Sequence, residues 1–262
     1  MKKNLFSNIF LGLVLIFLFL PIIILVVYSF NDSNNNIIFN GFTLKWYREL
    51  FNNKNLLDAF SNTILVAIAS TVISTIIGTI SAVGLNKYDF KLKGFINTLL
   101  YIPIVIPEIV LGISLLSVYT VLKLELGLFT LLLAHITFSL PYVIVSVRSS
   151  LSSDISIKEE ASYDLGVGKF KTFWYITLPS IMPGIVSGAT LAFTLSLDDV
   201  IVSYFTTGPG SNTLPQYIYS MIKTGITPDV NALSTLILLI VVLILSSLVI
   251  YDARKLKEVV KK

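Results

Sequence analysis

Residues 156–179 read Ser-Ile-Lys-Glu-Glu-Ala-Ser-Tyr-Asp-Leu-Gly-Val-Gly-Lys-Phe-Lys-Thr-Phe-Trp-Tyr-Ile-Thr-Leu-Pro. They lie within a 33-residue segment, 148–180, that separates two long apolar runs. A connection of this length has structure or function of its own. Ser156 followed by Glu159 has the spacing of a capping box, which satisfies free amides at a helix start, and Ile157, Ala161 and Leu165 then line one face. Gly166 is placed to end that helix, because glycine enters the left-handed conformation at little cost. Phe170, Phe173, Trp174 and Thr177 repeat at i, i+3, i+4, i+7, so the spacing predicts a second short helix that Pro179 closes before the next apolar run.

Outside this segment the chain is built for lipid. Of its 262 residues 55% are hydrophobic and 13% charged, with a mean hydropathy of +0.85, where soluble domains carry about 25% charged residues. A helix needs about 20 apolar residues to cross a bilayer. Six runs qualify: Ile9–Phe30, Thr63–Leu85, Phe95–Leu122, Leu126–Val147, Ile181–Phe205 and Asn231–Tyr251. The first follows Lys2 and Lys3 but exceeds a signal-peptide core and precedes no cleavage site, so it reads as a retained span. With six spans, 14 of the 19 Lys and Arg residues fall on one side and 5 on the other. Short cytoplasmic loops hold such an excess, which puts both termini and segment 148–180 inside the cell. The net charge of +4 forms no single stripe, so nucleic acid is not an expected partner. Without cysteine and with a single histidine, His135, thiolate metal sites and Cys/His nucleophiles are excluded. His135 lies mid-span, where an interhelical hydrogen bond is the expected role.

Two segments on the opposite side exceed simple turns. Residues 31–62 open with the polar run Asn31–Asn36 and then place Leu44, Tyr47, Leu50 and Phe51 at helical spacing beside Trp46, the pattern of an interfacial helix. Residues 206–230 are punctuated by Gly208, Pro209, Gly210, Pro215, Gly225 and Pro228, with Tyr217-Ile218-Tyr219 apolar enough to dip into the protein. Pro21, Pro141 and Pro183 are expected to kink their helices.

The order Glu160-Ala161-Ser162, three residues, Gly166, nine residues, Ile176, one residue, Leu178-Pro179 resembles the EAA loop of bacterial ABC importer permeases, with Ser162 for the second alanine. The resemblance implies an all-α, MetI-like permease fold of six transmembrane helices in the bacterial cytoplasmic membrane. It implies one permease domain over 1–262, with its core at 60–252 and a coupling loop at 148–180. Glu159, Glu160, Ala161, Ser162, Gly166, Ile176 and Pro179 would then engage a separate cytoplasmic ATPase dimer. Gly166-Val167-Gly168-Lys169 is not a phosphate loop, because Tyr163 and Phe170 stand where the Walker pattern needs glycine and Ser or Thr. The chain is therefore expected to lack a nucleotide site, a metal and any cofactor of its own, with ATP bound by the partner.

Carboxylates inside spans cost about 2.5–3.5 kcal/mol on insertion scales, so each demands a reason. Glu108 falls mid-span by residue count, just after Pro103 and Pro107; Asp198 and Asp199 fall late in the fifth span. No Lys or Arg inside a span neutralises them, which leaves a polar cavity, a proton or a cationic substrate. The stretches Phe42–Tyr47, Phe193–Asp199, Thr207–Gly210, Leu214-Pro215, Tyr217–Ser220 and Asn231–Thr235 resemble C-type permeases of spermidine/putrescine importers. That similarity implies Trp46, Glu108, Ser196, Asp198 and Asp199 as substrate-passage residues, a second permease subunit and an extracytoplasmic polyamine-binding protein. An intramembrane aspartyl hydrolase fits poorly, since adjacent residues on a helix point about 100° apart. Ferric ion, thiamine, sulfate or an amino acid are the alternative cargoes, and an anion would call for basic residues along the pathway. A non-transporting scaffold would leave the EAA-like loop without a purpose.

Overall fold

The computed structural model describes residues 5–34, 38–222, 225 and 227–260. Lys2, Lys3, Lys223, Lys261 and Lys262 of the charge count, and Asn35 and Asn36 of the polar run, lie outside them. The helices are α1 (Leu5–Tyr28), α2 (Lys45–Leu50), α3 (Lys54–Lys87), α4 (Lys93–Val105), α5 (Glu108–Val121), α6 (Leu128–Ser149), α7 (Ser153–Asp164), α8 (Lys169–Thr172), α9 (Leu178–Asp198), α10 (Ile201–Thr206), α11 (Leu214–Ser220) and α12 (Pro228–Val260), with a π turn, Phe173–Thr177, joining α8 to α9. Apart from one isolated antiparallel bridge, Asn31–Phe42, every regular element among the described residues is helical.

Four helical stretches are long and apolar enough to cross a membrane: Asn8–Tyr28, Lys54–Lys87, Leu128–Ser149 and Lys169–Asp198. The first, second and fourth predicted spans fall in them to within two residues; the fifth, read as Ile181–Phe205, is continuous only to Asp198, after which the backbone turns extended at Asp199 and a separate short helix, α10, begins at Ile201. The third is instead two helices, α4 and α5, bent by 114°. Pro107 forces the break: the residue before a proline is pushed to extended backbone, and Ile106 ends α4 at ψ 137°. Counting residues along a straight rod therefore misplaces Glu108, which opens α5 instead of sitting inside a through-going helix. The sixth predicted span lies within α12, whose described apolar part is Pro228–Leu243.

The chain divides into two compact units, one from its two ends, up to Leu57 and from Ser220 onward, and one over Asp58–Tyr219. In the first, α12 packs on α1 and α2. The buried face of α2 is Trp46 and Leu50, whereas Leu44 and Phe51, assigned to that face by spacing, are exposed. The indole N–H of Trp46 donates to the Asn31 carbonyl at 2.6 Å, and Asn53 donates to Asp229 at 2.6 Å.

In the second unit α6 packs along α9. Lipid tails are as apolar as leucine, so helices in a bilayer associate through close van der Waals contact between small residues. Gly184, Gly188, Ala192 and Ser196 recur every fourth residue on the buried face of α9. A Cβ built at Gly188 would stand 3.0 Å from the Val143 Cα, and one at Gly184 would collide with the Ser150 hydroxyl and stand 2.7 Å from the Ser146 carbonyl. Val143, Ile144, Val147, Ile181 and Ala192 fill the seam. Overpacking such a contact costs about 1–3 kcal/mol. Gly184→Val is therefore expected to lower the thermal unfolding midpoint in detergent, while Val186→Ala on the exposed face leaves it unchanged.

Candidate functional site

Two helix breaks meet at one cavity of about 290 Å³ in the second unit. Glu108, at the start of α5, lines it with Asp198 and Asp199, which stand where α9 gives way to α10. Pro103, Leu111, Phe138, Tyr142 and Leu195 supply most of the remaining wall, and among the described residues no Lys, Arg or His lines it. The acids are far apart in sequence and converge because α10 packs on α5, where Phe205 presses against Gly112.

Asp199 adopts extended backbone and ends α9. Its carboxylate accepts hydrogen bonds from the Val202 and Ser203 amides at 3.2 and 2.7 Å and from the Ser203 hydroxyl at 2.6 Å. The first turn of α10, whose amides have no helical partner, is thereby satisfied from within the chain. Asp198 is exposed toward the cavity. Ser196 faces away from it: buried, it is bonded to Ser70 at 3.2 Å and to His135 Nδ1 at 2.6 Å. His135 thus makes the expected interhelical hydrogen bond, with Nε2 reaching Ser203 at 3.1 Å. Trp46 belongs to the other unit and is not among the cavity residues.

The segment 148–180 departs in two respects from its reading in the sequence. Helix α7 starts at Ser153, so Ser156 lies inside it and forms no capping box with Glu159. Pro179 does not end a helix; α8, the π turn and α9 run on as one rod, Lys169–Asp198. One turn widens ahead of the proline, which has no amide to give and whose ring would press on the preceding turn. Gly166 behaves as read: at φ +79° it closes α7, with Gly166 N–H donating to the Tyr163 carbonyl at 2.9 Å and Val167 N–H to the Ser162 carbonyl at 3.0 Å.

Helix α7 has two faces. Ile155, Glu159 and Ser162 are buried. Glu159 takes the Lys87 ammonium at 2.7 Å and the Thr177 hydroxyl, joining the end of α3 to the foot of the long rod. Ser162 bonds Thr172 at 2.9 Å. Glu160 and Ala161 lie on the outer side, and Ile176 is half-buried. Around them Ile157, Leu165, Phe170, Trp174 and Tyr175 are exposed, Leu165 and Phe170 by 83% and 78%, and the Phe170 and Trp174 rings stack. Five large side chains are thus turned outward around this segment, two of them in ring contact, more than the isolated exposed apolar residues of an ordinary surface. The inward turn of Glu159 and Ser162 was not legible in the motif, because their partners Lys87 and Thr172 are set by tertiary packing. The every-fourth-residue run of small side chains on α9 was the unread signal for the α6 contact.

Residues 74–254 match the family model described as binding-protein-dependent transport system inner membrane component. The spermidine/putrescine transport system permease protein PotC of Escherichia coli strain K12 is 44% identical over 248 residues, covering 94% of each chain. The putrescine transport system permease protein PotI of the same strain is 40% identical over 230 residues, covering 85% of this chain and 82% of that one. Among solved structures, a crystal structure of a bacterial ABC transporter involved in the import of the acidic polysaccharide alginate contains a chain that aligns with a TM-score of 0.72 at 14% identity, over 93% of this chain and 95% of that one. That likeness speaks to the fold.

The Lys87–Glu159 pair makes its own demand on stability. Removing one partner of a buried ion pair costs about 3–5 kcal/mol, and the 28% exposure of the Lys87 side chain brings the expected loss for Glu159→Gln to about 2 kcal/mol. The double variant Lys87→Met with Glu159→Gln should recover most of it in a chemical or thermal unfolding titration, because no unpaired charge remains.

Proposed function

The chain belongs to the family of binding-protein-dependent transport system inner membrane components, and on that premise we propose that it is the permease subunit of an ATP-driven ABC importer whose cargo is a polyamine such as spermidine or putrescine. The observation that carries the cargo assignment is the convergence of Glu108, Asp198 and Asp199 on one cavity with no basic residue among the described residues of its wall. Carboxylates set among Leu111, Leu195, Phe138 and Tyr142 match a chain of ammonium groups separated by methylenes: charge pairs with charge, and apolar stems lie on apolar wall. The Tyr142 and Phe138 rings add faces for cation–π contact. Ser196 would support passage from behind the cavity. Trp46 would act on a cation elsewhere along the route; Lys45 already holds an ammonium 4.8 Å from its ring centre.

In this reading all six predicted spans cross the bacterial cytoplasmic membrane with both termini inside, the permease core spans 60–252, and segment 148–180 is the cytoplasmic coupling loop. The apolar surface of Ile157, Leu165, Phe170 and Trp174 seats in a groove of a separate ATPase dimer. Glu160 accepts charge-assisted hydrogen bonds from a basic group at its rim, while Ala161 allows close approach. Glu159, Ser162, Gly166, Ile176 and Pro179 shape the loop from within. A second, homologous permease completes the pathway, and an extracytoplasmic binding protein delivers the cargo. The chain does no covalent chemistry; ATP is bound and hydrolysed by the partner.

The test is ATP-dependent uptake of labelled spermidine into vesicles holding the reconstituted complex. Asp199→Asn should lower uptake at least about tenfold, the equivalent of about 1.4 kcal/mol, with the ATPase still bound. Glu160→Ala should weaken ATPase retention and coupling while leaving substrate-independent folding intact. Normal uptake by both variants would refute the site assignments.

A further inference from the structure

His135 is the one fully buried imidazole, and the translocation reading gives it no task. Its hydrogen bonds nevertheless run in a fixed order. An ionised Asp199 has no proton, so the single hydroxyl hydrogen of Ser203 points at its Oδ2, 2.6 Å away. Ser203 Oγ can then only accept from the ring, which puts a proton on His135 Nε2 at 3.1 Å. In the neutral imidazole Nδ1 is left as an acceptor, filled by the Ser196 hydroxyl at 2.6 Å. Ser196 in turn is free to accept from Ser70 at 3.2 Å, sharing the one Ser70 hydroxyl hydrogen with the Ala67 carbonyl at 3.3 Å. Donors therefore line up in one direction, from Ser70 on α3 through Ser196 on α9, His135 on α6 and Ser203 on α10 to the Asp199 carboxylate in the break that precedes α10, and the first three links each cross between helices. His135 Nε2 also stands 3.7 Å from Asp199 Oδ2, whose side chain is 6% exposed.

We propose that His135 is a positioning residue that holds the Asp199 carboxylate aimed at the cavity, acting through Ser203 and anchored through Ser196 to Ser70. The ring is the only group in the chain of bonds long enough to bridge the two hydroxyls that flank the break between α9 and α10. Without it the Ser203 hydroxyl loses its inner donor, and of the bonds that hold the Asp199 carboxylate the one from Ser203 Oγ loses its fixed direction, while those from the Val202 and Ser203 amides remain. This role rests on Asp199 as a substrate-contacting carboxylate, and the test separates the two ideas.

The reconstituted complex is assayed with His135→Ala, His135→Gln and His135→Asn. Glutamine keeps a donor near the Nε2 position and so should preserve the bond to Ser203; asparagine keeps a polar group on the Nδ1 side only. Alanine and asparagine are expected to raise the KM for spermidine uptake about fivefold with little change in maximal rate, and glutamine to restore it. In an Asp199→Asn background, His135→Ala should add less than about twofold, because the charge it positions is gone. A second readout needs no polyamine. The chain has no cysteine, so Ile201→Cys places a unique thiol in this subunit at the cavity wall. The rate ratio for a cationic against a neutral methanethiosulfonate reagent reports the local carboxylate field and should fall about threefold in His135→Ala and His135→Asn, but not in His135→Gln. An unchanged ratio in His135→Ala, or effects of His135→Ala and Asp199→Asn that multiply independently, overturns the proposal. If Asp199→Asn transports normally while the ratio still falls, positioning by His135 stands and the role of Asp199 in passage fails.

Discussion

A helix cannot stop in an apolar medium unless something answers its free amides, and at the end of α9 that something is the Asp199 carboxylate. An unsatisfied backbone group in hydrocarbon costs several kcal/mol, so irregular backbone at membrane depth survives only beside a cavity or inside protein. The chain meets this demand twice in one place, at Ile106-Pro107 and at Asp199-Val200, and both breaks open on the same small cavity. The negative charge is thus part of the architecture before it is part of any transport step. A neutral apolar side chain at 199 would take from α10 the carboxylate that answers its first amides and from the cavity one of its three acids.

The rod Lys169–Asp198 gives the arrangement its reach. At about 1.5 Å per residue, a helix of 30 residues is about 45 Å long. Its foot carries the exposed Phe170 and Trp174 and the Thr177 bond to Glu159; its middle is pressed against α6 by Gly184 and Gly188; its head ends in the cavity acids. Small residues in the seam let two backbones touch, and touching backbones move as one body more readily than helices separated by flexible side chains. In the ATP-driven reading, force applied at the foot has a stiff route to the site that handles charge.

Much of this was legible in the residues. Apolar run lengths gave the long helices, Gly166 gave its turn, and the cost of placing acids in lipid drew attention to Glu108, Asp198 and Asp199. Where the reading went astray, local signals competed with tertiary ones. Ser156 and Glu159 have capping-box spacing, yet Glu159 prefers Lys87, 72 residues away in sequence. Pro179 is a helix breaker in isolation, yet a widened turn carries the rod past it. Pro107 was visible as a disturbance, but the size of the bend it allows, 114°, was not, because a proline marks where a helix breaks and not the direction in which the chain goes on. For His135 the interhelical hydrogen bond was legible, but not its partners Ser196 and Ser203, which tertiary packing brings from two other helices.

The exposed aromatic and aliphatic side chains around α7 set a limit on how the subunit can be made. A surface with Leu165, Phe170, Trp174 and Tyr175 turned outward adheres to whatever hydrophobic partner it meets first, including chaperones, proteases and other copies of itself. In the ATP-driven reading, synthesis in excess of the ATPase partner would leave that surface uncovered and open to quality control. On that reading, matched stoichiometry is written into a few side chains of one loop, and translation of the partners in step is the simplest way to honour it.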